Sequence, residues 1–145
     1  RDGSNATRDW DGYLAEFRFT KGIARYAGAY TPATTPFPVG SADPFWSSVS
    51  SLVQFKGANA STTFWDEVGR VWPASGNAQL TTTTPIVGTA SGLFDGNGDY
   101  ISTNDSNDFN FGAGDFHISA RVNPTAWFPD DTYFPAILSQ RNTIT

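Results

Sequence analysis

Phe94-Asp95-Gly96-Asn97-Gly98-Asp99-Tyr100-Ile101-Ser102 sets a tight acidic turn between two apolar strand ends. Gly96 and Gly98 are free to take the positive φ that such a turn demands. Asp95, Asn97 and Asp99 carry side-chain oxygens able to accept hydrogen bonds from the turn's own backbone. The reading is a β-strand corner or hairpin, with Leu93-Phe94 entering and Tyr100-Ile101 leaving.

Working outward, the same two-residue period recurs on both sides. Downstream, Asp115 to Val122 alternates cleanly: Phe116, Ile118, Ala120 and Val122 on one face, His117, Ser119 and Arg121 on the other, which is expected to meet solvent. Upstream, Tyr13 to Thr20 places Tyr13, Ala15, Phe17 and Phe19 on one face. Leu14, Glu16, Arg18 and Thr20 take the other, so Glu16 and Arg18 read as a partly exposed ion pair of small energetic weight. Further strands are expected in Trp46 to Phe55, in Ser61 to Val68 as a short strand or loop, and on either side of a turn at Ser75-Gly76-Asn77. Ala136 to Arg141 is expected as a last strand, Ile23 to Tyr30 as an irregular or one-turn helical piece, and Phe109 and Phe111 as plugs at the core's edge. Prolines at 32, 36, 38 and 44 predict an extended connector. A composition rich in Phe, Trp, Tyr, Thr, Ser, Gly and Asn, and poor in strong helix formers, agrees with an all-β chain.

The 145 residues suffice for one domain with a substantial core. A net charge of −5 with nine scattered basic residues provides no footprint for nucleic acid or an anionic bilayer. Cysteine is absent, which removes disulfides and thiolate metal sites. No apolar run approaches the roughly 18 residues that span a bilayer, so membrane insertion is not expected. The chain begins with Arg1 rather than Met, as expected of a processed product or an excerpt.

Two blocks carry a family resemblance. Gly12 to Tyr26, with the Pro32 to Pro38 tail, resembles the closing strand of laminin G-like domains, which belong to the concanavalin A-like lectin/glucanase jelly rolls. The version it resembles is common in phage virion and tail proteins and in bacterial surface proteins. Leu52 to Asn59, Leu93 to Ile101, Gly114 to Val122 and Ile137 to Arg141 resemble the opening half of the same domain. The resemblance implies an antiparallel β-sandwich of jelly-roll type, incomplete within this chain. Residues 1–38 would be closing strands, 39–44 a proline-containing connector and 45–145 an opening half. An ending before a beginning suits an excerpt of a tandem array, a subunit completed by neighbouring chains, or a shortened permutation.

Catalysis is not expected. Glucanases of this fold use paired acids on one strand, whereas the only glutamates here, Glu16 and Glu67, fall on different strands. His117 stands alone, without a partner for a zinc site or a hydrolytic triad. Asp95, Asn97 and Asp99 are the best calcium candidates, against the plainer reading of an ion-free Asx turn; the EF-hand pattern fails at Tyr100 and Ser106. Trp127, with Asp130 and Asp131, is the candidate sugar-stacking platform, although any single Trp serves equally well in a core. The expected function is a non-enzymatic structural or adhesive module of a phage virion, extracellular fibre or cell surface. Its expected location is extracellular or on the virion surface, and its partners neighbouring copies or tandem repeats of itself. The alternative is a carbohydrate-binding, lectin-like module, calcium-assisted, facing a cell-surface glycan.

Overall fold

The computed structural model describes residues 10–26, 28–125 and 136–139. The fold is all-β: among the described residues eight strands form two antiparallel sheets that face each other as a sandwich. In chain order they are β1 (Asp11–Lys21), β2 (Val49–Val53), β3 (Thr63–Trp65), β4 (Val71–Ser75), β5 (Gln79–Thr81), β6 (Ser91–Asp95), β7 (Tyr100–Ile101) and β8 (Phe116–Pro124). Three short 3-10 turns are the only helical pieces among the described residues.

Strand β1 is the hub. One of its edges carries β8 along nearly its whole length, and the other carries β6 beside Asp11 to Leu14 and β2 beside Phe17 to Thr20. The amino-terminal strand is thus hydrogen-bonded to strands from the remainder of the same chain. β5 extends the large sheet beyond β6, while β3, β4 and β7 make the small one. Phe64 and Trp72, cross-strand partners in the small sheet, turn inward. Trp72 meets Phe17 edge-on at 5.0 Å, and Phe64 meets Phe55 at 5.6 Å. These aromatic edges, with Leu14, Val53, Leu80 and Phe94, make the core between the layers.

The pairing of β1 with β8 shifts between Leu14, opposite Val122, and Glu16, opposite Arg121. Ala15 is the extra residue of a β-bulge, and it breaks the simple alternation expected for this strand. Leu14 therefore joins the core that Phe17 packs against, where the sequence pattern had placed it with Glu16 and Arg18.

Other expectations are corrected locally, at β2 and at residues 136–139, or narrowed to one of two alternatives, at residues 23–30 and at the acidic turn. Strand β2 starts only at Val49, because Trp46–Ser48 winds into a 3-10 turn. Between Ile23 and Tyr30 the described residues are irregular, with no helical turn. Residues 136–139 form no strand, and 140 and 141 lie outside the described residues. The Phe94 to Ser102 stretch is a corner rather than a hairpin: β6 belongs to the large sheet and β7 pairs with β4 of the small one. Gly96 and Gly98 take φ of +76° and +80°, as that turn requires.

Candidate functional site

Three places carry polar or exposed apolar groups that a fold alone does not need: the acidic corner, a polar layer on the outer face of the large sheet, and the open flank along β8.

At the corner, Asp99 is buried and both its carboxylate oxygens accept backbone hydrogen bonds, from Asp95 N at 2.9 Å and Asn77 N at 2.7 Å. It ties the turn at residues 95–99 to the neighbouring turn at residues 75–77. Asp95 accepts from Asn97 N at 2.9 Å, an Asx turn. Of the residues expected from the sequence as calcium ligands, Asp99 has both oxygens and Asp95 one oxygen engaged with backbone, and Asp95 and Asn97 are exposed. Among the described residues no group of three or more His, Cys, Asp or Glu is placed to hold a metal ion.

The polar layer departs from the burial that alternation predicts. Glu16 and Arg18, expected to be partly exposed, are 0% and 1% exposed. The proline-containing segment after β1 folds back as a strap over their face of the sheet. Phe37 N donates to Glu16 Oε1 at 2.8 Å, and Gln54 Nε2 bridges Glu16 and the Phe37 carbonyl. The Phe37 ring lies against two guanidiniums, 4.0 Å from that of Arg18 and 4.6 Å from that of Arg121. Asp43, further along the strap, accepts from Arg25 at 2.6 Å and stands 3.8 Å from Arg18. Arg121 Nε is 3.3 Å from Glu16 Oε2, close enough for an ion pair but not aligned as a hydrogen bond.

Burial dominates the electrostatics here. Desolvation raises the Glu16 carboxyl above its usual range, against the opposing hydrogen bond from Phe37 and the charge of Arg121. Desolvation lowers Arg18, and the nearby Arg25 lowers it further. His117, expected to face solvent, packs edge-on against Tyr26 at 4.9 Å with its Nε2 buried. Its pKa is lowered by desolvation first, then by Arg18 and Arg25. With Glu16 held by Phe37, Gln54 and Arg121, and Glu67 paired to Lys56 at 2.7 Å, neither glutamate is presented beside a second carboxylate partner in these contacts.

The flank along β8 reverses the expected burial. Phe116 is 51% and Ile118 39% exposed, while the polar face of His117, Ser119 and Arg121 is the more covered one. Phe116 stacks on Phe111, which stacks in turn on Phe19, and Phe109 packs against the core, so both loop aromatics plug its edge as expected. Between the sheets behind this flank lies an apolar cavity of about 140 Å³ lined by Trp10, Phe17, Trp72, Ile118 and Leu138. Trp10 Nε1 is buried, with no hydrogen-bond partner among the described residues.

Among the tryptophans, Trp10 and Trp72 are core and Trp65 is the exposed one. Trp127, Asp130 and Asp131 lie outside the described residues. Compared with protein-family models, curated proteins and solved structures, the chain matches none.

Proposed function

We propose that this chain is a non-enzymatic structural or adhesive β-sandwich module of a phage virion, extracellular fibre or cell surface, assembling by strand pairing with neighbouring copies or repeats. The observation that carries this reading is the open flank: a nine-residue strand at the margin of the large sheet with exposed apolar side chains on the core side. Such an edge is a template for another strand. The engagement of Glu16 and Glu67 in structural contacts supports a role without catalysis. Immunogold electron microscopy of the native source, with antibody raised against this chain, tests the reading. Labelling along filaments, particles or the cell surface is expected; labelling confined to soluble intracellular material would overturn it.

A carbohydrate-binding role is the second reading, favoured by Trp65, a residue 59% exposed on the outer side of β3. Planar exposed rings stack on sugar faces, and the exposed Asp95 and Asn97 would be the calcium ligands in a calcium-assisted form. A glycan array probed with and without chelator decides it: binding in neither condition retires the lectin reading and its calcium.

A further inference from the structure

The large sheet has three margins, and two are already closed. On the outer side of β2, Glu67 N donates to Leu52 O at 2.8 Å and Val53 bridges Asp66. On the outer side of β5, Leu80 N donates to Ser61 O and Leu80 O accepts from Ala60 N, both at 2.8 Å. Strand β8 differs. Among the described residues it pairs only with β1, no loop backbone bonds to its other edge, and it is the longest of the three marginal strands. Proteins ordinarily blunt such edges with charge, proline or a short strand. The one proline of β8, Pro124, is its last residue; the strand has no acid, and its one permanent charge, Arg121, is engaged with Glu16.

We propose that the free edge of β8 pairs antiparallel with β8 of a second copy about a two-fold axis at Ala120, joining two large sheets into one. The inference rests on the assembly reading above and names its surface and partner. The occupant follows from what this register sets opposite what. Ile118 meets Val122 of the second copy, and Phe116 meets Pro124, so apolar side chains adjoin on the core side. On the other side Ser119 meets Arg121 and His117 meets Asn123, so no like charges face each other. Asp115, just beyond the strand, meets Thr125. The strand is its own complement, as a two-fold interface requires. Pairing satisfies the open backbone groups and covers part of the apolar row that solvent now reaches.

A chain without cysteine makes the test direct. Cross-strand partners in an antiparallel pair have Cα atoms about 4.5–5.5 Å apart, within disulfide reach. Ala120→Cys is expected to form a disulfide-linked dimer rapidly under mild oxidation. Ile118→Cys and Val122→Cys should each form no disulfide-linked dimer alone, because four residues of strand, about 13 Å, separate the two copies of each site. Mixed together, those two proteins should cross-link. The wild-type chain should sediment toward twice its 15.7 kDa with rising concentration, and Ile118→Lys, altering an exposed side chain, should return it to monomer. A wild type that stays monomeric at millimolar concentration overturns the inference. So does a dimer that cross-links no faster at 120 than at 118 alone; that outcome moves the interface elsewhere and leaves the assembly reading to its microscopy test.

Discussion

Asp99 shows how much one side chain can hold. Its two oxygens satisfy two backbone N–H groups from separate turns, and both turns sit where the chain changes sheets. Asp99→Asn keeps the shape but turns one acceptor into a donor facing a backbone N–H. It should cost about 1–3 kcal/mol, read as a lowered urea midpoint with unchanged slope. Gly92 makes the converse point, that an absent side chain can be required. A Cβ there would sit 2.6 Å from the Phe55 ring, which is 1% exposed and fixed at φ +46°. Gly92→Ala should therefore destabilise by about 1–3 kcal/mol through overpacking, measured the same way. The need for acceptors at the corner was legible in the Asp-Gly-Asn-Gly-Asp pattern. That Asp99 also reaches Asn77 was not, because the two turns are distant in sequence.

At the level of elements, the strap after β1 decides the chemistry of the sheet's outer face. It brings Phe37, Asp43, Arg25 and Tyr26 onto a surface carrying Glu16, Arg18 and Arg121. Removing the ring by Phe37→Ala uncovers two guanidiniums and should speed backbone hydrogen exchange and proteolysis in residues 31–44 before the rest of the chain responds. The layer also makes stability depend on pH. His117 faces Thr20 across the strand pair and Arg18, Arg25 and Tyr26 beyond it, and its folded pKa is lowered from 6.5. The unfolded chain binds the proton more readily. The contribution of His117 is therefore present above its unfolded pKa of about 6.5 and is lost as pH falls through the lower folded value. Glu16 has the opposite sign: its raised folded pKa favours the protonated acid, so its contribution is present below 4.5 and is lost as pH rises through the folded value. In urea titrations from pH 8 to 5, His117→Gln should lose less stability toward the acid end than the wild-type chain, which isolates the histidine from the opposing carboxyl.

For the whole molecule, β1 makes the two layers interdependent. It is the only described strand that pairs with three others, and Phe17 on it touches Trp72 of the small sheet and Phe55. Phe64→Ala, which empties a 1% exposed site between the layers, should cost about 3–5 kcal/mol. Tryptophan fluorescence and far-ultraviolet circular dichroism should still lose signal in one coincident transition, since neither sheet has a core of its own.

The sequence by itself determined the all-β class, the alternation of β8, the corner at residues 94–102 and the aromatic plugs at Phe109 and Phe111, because these rest on local propensity and a two-residue period. Tertiary structure decided which face of each strand is covered. Alternation sorts side chains into two faces but does not say what lies over either. Here a distant proline-containing strap docks on the polar face through Phe37 and Asp43, while the apolar face of β8 is left open at the sheet's margin. The bulge at Ala15 is of the same kind: an extra residue becomes visible only against the partner strand whose register it breaks.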